Sequence, residues 1–259
     1  MTQKHIFLGV SALLFVASAL ITIAWSASMS GMGEMVMPGD WSMSMTWMRM
    51  PGQTWLGAAA SFLGMWVVMM VAMMLPSLAP MLWNYRTAVR GANERHLGWR
   101  TSLVGAGYFF VWTVFGVAIF PLGVALAAVA MHQPAISRAV PLAIGVVILI
   151  AGALQFTAWK GRQLACCRDE STPRLAAPAS AGSALRHGVQ LGLRCGPCCA
   201  NLMMILLVAG VMNLGAMAVV TAAITVERVA PAGEQSARAI GVIVVGAALL
   251  LITRAVGLA

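Results

Sequence analysis

Residues 195–211 read CGPCCANLMMILLVAGV, so three cysteines stand directly before a continuous apolar run. We expect a transmembrane helix to begin at about Cys195. On such a helix Cys195, Cys199 and Met203 lie at positions i, i+4 and i+8, with Cys198 beside this row. Thiolate and thioether sulfurs are soft ligands that select Cu(I), and thiolates alone also suit Zn(II). The stretch therefore predicts a sulfur site for a soft metal at the mouth of a membrane helix.

Composition indicates the same environment for the whole chain. Of the 259 residues, 61% are hydrophobic and only 9% are charged. A transmembrane helix needs about 20 apolar residues. We predict an all-α, polytopic transmembrane helix bundle with about seven spans, or six if one of the short fifth and sixth spans is merged or dropped. The predicted spans are residues 6–24, 57–78, 101–129, 139–158, 195–211, 214–226 and 240–258.

The distribution of basic residues predicts the orientation. With the N-terminus in the cytoplasm, 13 of the 16 Lys and Arg residues fall in cytoplasmic segments, and only Arg49, Arg138 and Arg254 do not. This is a strong positive-inside pattern, typical of a multi-pass protein of the inner (cytoplasmic) membrane. The net charge of +9 then indicates contact with anionic lipid headgroups rather than with nucleic acid.

Three regions follow from the predicted spans. Residues 1–28 form an N-terminal transmembrane helix, whose apolar part is too long for a cleaved signal peptide. Residues 29–56 form an extracytoplasmic loop rich in Met and Trp, and residues 57–259 form the bundle, with a cytoplasmic linker at 160–194. Thioethers bind Cu(I) without deprotonation, so Met35, Met43 and Met45 in the outer loop are candidate capture ligands. The alternative is that these flexible side chains only fill gaps.

Further candidate ligands lie in other spans. Met69 and Met73 are one turn apart on the second span, where Met can serve as a metal ligand or as packing. Glu227 directly follows the sixth span. If the chain reverses at 212–213, Glu227 lies at the same depth in the membrane as Cys198. There it either joins the thiols or pairs with an arginine at the level of the lipid headgroups. Cys167 follows the fourth span in a basic loop. All five cysteines are predicted on the cytoplasmic side of the membrane, where the environment is reducing. This placement argues against a framework of structural disulfides.

The ordered set of these motifs resembles a known family. It comprises MMVAMMLP at 69–76, Cys167-Arg168, CGPCC at 195–199 leading into Asn201-Leu202-Met203, and Glu227-Arg228. Together they resemble the predicted metal-binding integral membrane proteins numbered 2182 among the domains of unknown function, over residues 57 to 230. Members of that family carry Trp at the position of Ala200 and Lys at that of Arg228. The resemblance implies metal binding and a membrane location.

Three functions fit these patterns. The first is copper(I) handling: uptake, delivery, or assembly of a copper enzyme, with a copper enzyme or a periplasmic copper-binding protein as partner. Zinc, or no metal, is the alternative to copper. The second is a membrane thiol-disulfide oxidoreductase that uses Cys195 and Cys198 as a Cys-x-x-Cys pair. The third is a non-catalytic scaffold subunit of a membrane complex. The pattern favours a protein that is not an enzyme, and it leaves the oligomeric state open.

Overall fold

A computed structural model of the chain describes residues 2–30, 35–37, 41–43, 45–49, 52–89, 97–169 and 180–257. These residues form eight helices, a short antiparallel hairpin and one 3-10 turn, Met45–Trp47. The elements are α1 (Thr2–Ser30), β1 (Met35–Met37), β2 (Trp41–Met43), α2 (Trp55–Val89), α3 (Leu97–His132), α4 (Pro134–Leu154), α5 (Ala158–Asp169), α6 (Ala181–Ala209), α7 (Leu214–Val229) and α8 (Gly233–Ala255).

The predicted helical bundle is confirmed. Within the described residues, six helices are long and apolar enough to cross a membrane, namely α1, α2, α3, α4, α6 and α8. Helix α7, the predicted sixth span, has 16 residues and is about 24 Å long, which is shorter than the roughly 30 Å hydrocarbon core. The six-span alternative therefore fits the helix lengths, and α7 is the short arm of a hairpin with α6.

The turn between α6 and α7 lies where the sequence predicts it. Gly210 ends α6 with a φ of 102°, in a region that L side chains rarely adopt. Asn213 caps α7, since its side-chain oxygen accepts a hydrogen bond from the backbone N–H of Ala216 at 3.0 Å. The chain reversal brings the start of α7 back against α6 and returns Glu227 towards the cysteines.

Two predicted boundaries are wrong, and both concern the cysteines. Helix α6 begins at Ala181, with Ser180 and Ser183 forming a capping box, so Cys195 lies about 21 Å inside the helix rather than at its mouth. The predicted cytoplasmic linker at 160–194 also contains helix α5. The sequence does not show a helical pattern in the first half of α6. Its buried residues include Gly188 and Gly192, which carry no apolar side chain.

Glycines allow α3 and α6 to pack at close range. A Cβ on Gly107 of α3 would collide with the carbonyl oxygen of Leu185, and a Cβ on Gly188 of α6 would collide with the carbonyl oxygen of Val104. Small residues at such crossings let membrane helices approach backbone to backbone. Helix α4 packs in the same way on α8, while α1 and α7 pack on α2. The cysteine-bearing helix α6 itself packs against α3, α4, α5 and α7.

The described part of the outer loop folds over the bundle. β1 pairs with β2 so that Met35 and Met43 are register partners. Met37 is buried with Ala127 and Ala130 at the end of α3, and the indole N–H of Trp41 donates to the carbonyl oxygen of Ser137 at 2.9 Å. The side chains of Met35, Met43 and Met45 lie outside the described residues, so their predicted role as capture ligands stays a prediction.

Candidate metal centre

Three buried thiols lie next to one another in the middle of α6. Cys195, Cys198 and Cys199 are at most 2% exposed, and the sulfur atoms of Cys195 and Cys199 are 3.5 Å apart. The thiol of Cys198 forms hydrogen bonds with Cys199 and with Cys167 of α5. Met203 is buried one turn beyond Cys199. All five cysteines of the chain are free thiols. The structure thus contains the predicted sulfur row, at a greater depth than predicted.

A buried arginine holds the first of these thiols. The Nη1 of Arg228 donates to the sulfur of Cys195 at 3.2 Å and to the hydroxyl oxygen of Ser77 at 2.9 Å. Its Nη2 donates to the thioether sulfur of Met81 at 3.1 Å. The hydroxyl of Tyr108 donates to the same Cys195 sulfur at 3.0 Å. Helices α2, α3 and α7 therefore each contribute a polar group at or next to one sulfur of α6.

The charge of Arg228 has no carboxylate beside it in the described part of the chain. The salt bridges found there join Lys160 to Glu227 and Arg238 to Glu234. Arg228 is only 5% exposed, and a buried cation is costly unless an anion accompanies it. Since the atoms at its guanidinium are sulfur and hydroxyl oxygen, a thiolate is the anion that this environment can supply.

A second network holds the backbone of Cys198. The ammonium of Lys160, fully buried, lies 2.7 Å from the carboxylate of Glu227 and donates to the carbonyl oxygen of Cys198 at 2.8 Å. It also donates to the side-chain oxygen of Asn201 at 3.2 Å, and Gln155 donates to Glu227 at 2.6 Å. The three acceptors match the three N–H donors of a lysine. This pair is neutral overall and leaves the charge of Arg228 unchanged.

The network corrects two predictions. Lys160 was expected in a cytoplasmic loop, and Glu227 was expected beside the thiols or in a pair with an arginine. Instead, α5 packs against α6 and α7 and carries Lys160 into the core, where it takes Glu227 as its partner. Glu227 therefore contacts the thiol region only through Lys160. Its predicted role as a metal ligand stays a prediction that this pairing does not favour, because its oxygens are already occupied.

Helix α5 carries the remaining two cysteines, and one of them lies beside this centre. Cys167 is buried, and its thiol donates to the carbonyl oxygen of Arg194 at 3.2 Å. Its hydrogen bond with Cys198, together with burial, holds the pKa of the Cys167 thiol well above its usual range. Cys166 is exposed, and the Nη1 of Arg194 lies 3.1 Å from its sulfur. Of these two cysteines, Cys167 therefore lies beside the thiols of α6, and Cys166 lies at the surface.

The methionines of α2 lie in the same core. Met69, Met70, Met73 and Met74 are all at most 2% exposed. Met70 and Met74 share a helix face with Ser77 and Met81, at the spacing i, i+4, i+7 and i+11, and that face leads to Arg228. Met69 and Met73 form the adjacent row. Their predicted role as metal ligands stays a prediction.

The donor atoms of this centre are soft sulfur atoms. In the part of the chain that the structure describes, no group of three or more His, Cys, Asp or Glu side chains is arranged to hold a metal ion. Cu(I) is a soft ion that accepts a low coordination number, and the Cys195 and Cys199 sulfurs are soft donors already in contact. The site thus fits a monovalent soft ion held by a pair of thiolates.

Several residues of this centre were missed by sequence analysis. Lys160 was counted as a headgroup-binding cation because it follows a predicted span. Tyr108 is one of only two tyrosines, and Asn201 is a polar residue within an apolar run. Neither feature indicates which residue each side chain is hydrogen-bonded to. Polar groups inside membrane helices are the available signal, since each needs a partner there. The missed residues are Ser77, Met81, Tyr108, Gln155, Lys160 and Asn201.

Comparison with known proteins supplies the class. The family model of PpoB2, described as a copper chaperone, matches residues 63–251, well over half of the chain. No curated protein and no solved structure matches the chain. This match agrees with the metal-binding family that the sequence resembles, but it does not confirm that family's number. The matched region contains every residue of the centre described above. The chain therefore belongs to the PpoB2 family of copper chaperones.

Proposed function

We propose that this protein is a membrane-embedded copper(I) chaperone that holds one Cu(I) ion between the sulfurs of Cys195 and Cys199 and delivers it to a partner. The observation that carries the proposal is the buried Arg228 guanidinium, which donates to the Cys195 sulfur with no carboxylate beside it in the described residues. Cys198, Cys167 and Met203 surround the pair and are candidate additional ligands.

Charge balance supports a monovalent ion. A Cu(I) ion bound by two thiolates carries a net charge of −1, and the guanidinium of Arg228 neutralises it. With Zn(II) in the same place the group would carry a net positive charge of +1 in a buried setting, which is costly. The Lys160–Glu227 pair contributes no net charge. The centre is therefore electrically balanced when it holds Cu(I).

The other two functions have less support. A thiol-disulfide oxidoreductase needs a thiol that a partner's disulfide can reach, whereas Cys195 and Cys198 are at most 1% exposed. A scaffold subunit would have no use for a cation and a tyrosine hydroxyl directed at one buried sulfur. Both alternatives also leave the copper chaperone match without a role.

The outer methionines complete the proposal. Met35 and Met43 are register partners in the β1–β2 hairpin, and Met45 begins the turn after it. We assign to these thioethers the capture of Cu(I) on the outer side, with Met69 and Met73 along the way inwards. This proposed path ends at the stronger thiolate donors, and the predicted orientation places it in the inner membrane of the cell.

The test is a copper count on purified protein. The chain is purified in detergent under reducing, oxygen-free conditions and loaded with Cu(I), and bound copper and zinc are measured by mass spectrometry of the elements. We expect wild type to retain Cu(I), and the Cys195→Ser/Cys199→Ser variant to lose it. Cys166→Ser, which removes an exposed thiol, is the matched control and keeps its copper. Copper retained at the wild-type level by the double variant would refute the site.

A further inference from the structure

The five cysteines form a continuous series from the protein surface to the buried centre. Cys166 is exposed, Cys167 is 4% exposed, and Cys195 at the other end is fully buried. The Cys167 thiol donates to the carbonyl oxygen of Arg194, which lies one helical turn before Cys198 on α6, and the sulfurs of Cys199 and Cys195 are 3.5 Å apart. Cys198 and Cys199 are adjacent in the chain, as are Cys166 and Cys167.

The outer end of this series lies on a basic surface. Arg194, which is exposed, lies with its Nη1 3.1 Å from the Cys166 sulfur, and its carbonyl oxygen accepts from the Cys167 thiol. One residue of α6 thus contacts both thiols of α5. Arg162 on α5 and Arg186 on α6 are exposed as well. Helix α5, with 12 residues, is too short to cross a membrane, and Cys166 is exposed on it.

We propose that Cys166 is the thiol at which Cu(I) enters from, or leaves to, a soluble carrier that holds the ion with paired thiolates. The cationic surface around Arg194 attracts such an anionic copper dithiolate. From Cys166 the ion passes along Cys167, Cys198 and Cys199 to Cys195. This inference rests on the proposed copper(I) function and adds to it an entrance and the chemistry of a partner.

Each step is an exchange of ligands. A bond forms between copper and the incoming sulfur before the bond to the outgoing sulfur breaks, and the proton of the incoming thiol moves to the thiolate that is released. Copper remains Cu(I) throughout, so no oxidant or reductant is needed. Cys166 and Cys167 are neighbours in the chain, and from Cys167 inwards each cysteine lies beside the following one, so the ion keeps sulfur ligands on its way into the core.

Loading kinetics test this entrance. Reduced full-length protein in detergent is mixed with the Cu(I) complex of dithiothreitol, and the copper that becomes bound is followed over time. We expect Cys166→Ser to slow loading by at least about tenfold, since exchange depends on an accessible thiol, and to reach the same final copper content. Ala165→Ser, which changes the exposed neighbouring residue, is the control and loads at the wild-type rate.

A second measurement needs no substitution. A polar maleimide applied briefly to the wild-type protein is expected to react first at exposed Cys166, blocking later loading but leaving copper that was bound beforehand in place. Wild-type loading rates in Cys166→Ser, or a reduced final copper content, would overturn the entrance and leave the Cys195–Cys199 centre standing. Failure of the wild type to bind Cu(I) at all would overturn the proposed function itself.

Discussion

Two regions of the bundle hold buried sulfur, and their surroundings differ. Arg228 and Tyr108 donate to the Cys195 thiol of α6, and Lys160 donates to the backbone carbonyl oxygen of Cys198. The methionines of α2 at 69–74 are equally buried and belong to the same hydrophobic cluster as these thiols, together with aromatic side chains such as Phe62 and Trp66. The two sulfur regions therefore differ in the hydrogen-bond donors at the thiols, and not in burial.

The difference separates sulfur that carries charge from sulfur that packs. A thioether has no proton to lose and needs no counter-ion, so a methionine can be enclosed by apolar groups at no electrostatic cost. A thiolate in the same place would need a cation or hydrogen-bond donors. The polar residues are found at the cysteines, which is where a metal-binding thiolate would form. Substitutions that act on one region only should therefore have distinct effects.

The largest effect is expected from breaking the buried ion pair that supports the thiol region. Glu227→Gln leaves Lys160 charged without its carboxylate, and loss of one partner of a buried pair costs about 3–5 kcal/mol of stability. The measurement is thermal unfolding of the protein in detergent.

The chain offers a matched control for that experiment. Glu234→Gln breaks an exposed pair with Arg238, whose side chains are 65% and 60% exposed, and should change stability by at most about 1 kcal/mol. Equal shifts in the unfolding temperature of the two variants would show that Lys160 does not depend on Glu227.

The next effect concerns the charge at Cys195. Arg228→Met keeps an apolar stem but removes the guanidinium, so the copper dithiolate loses its counter-charge. Groups that support metal ligands in this way are typically worth about 10–100-fold in metal affinity. We expect a loss of that size, measured by competition with a chromophoric Cu(I) chelator.

Two further variants sharpen that result. Arg228→Lys keeps the charge without the planar fork and should recover part of the affinity. Arg254→Met removes an exposed arginine of α8 and should leave affinity unchanged. If Arg228→Met bound Cu(I) as tightly as Arg254→Met, the guanidinium would have no part in holding the ion.

The sequence predicts the bundle well because its signal is local. Long apolar runs define the spans, and Asn213 marks a turn that the structure confirms as a helix cap. The depth of the cysteines was not predictable in the same way. The first half of α6 buries glycines against α3, and a face made of glycine carries no hydrophobic periodicity.

The partners of the thiols could not be predicted because they come from distant parts of the chain. Lys160 and Glu227 are separated by 67 positions, and Ser77 and Arg228 by 151. A basic residue after a span has the same sequence signature whether it faces headgroups or enters the core, so Lys160 was misplaced. The CGPCC motif, by contrast, correctly predicted that Cys195 and Cys199 lie side by side, because the i, i+4 relation within one helix is fixed by helical geometry.

The smallest effect is expected from the methionines of α2. Met69→Leu/Met73→Leu nearly conserves volume and removes both thioethers, so as packing residues they should change stability by less than about 1.5 kcal/mol. If apolar contact is their main contribution, the copper affinity of the Cys195–Cys199 centre remains that of the wild type. Chelator competition and thermal unfolding are again the measurements. Met70→Leu/Met74→Leu is the matched comparison, because it changes two buried methionines on the neighbouring face, which leads to Arg228. Slower copper uptake from the outer side of sealed vesicles, at unchanged affinity, is the result expected from the proposed place of Met69 and Met73 on the inward path, whereas uptake at the wild-type rate would limit them to packing.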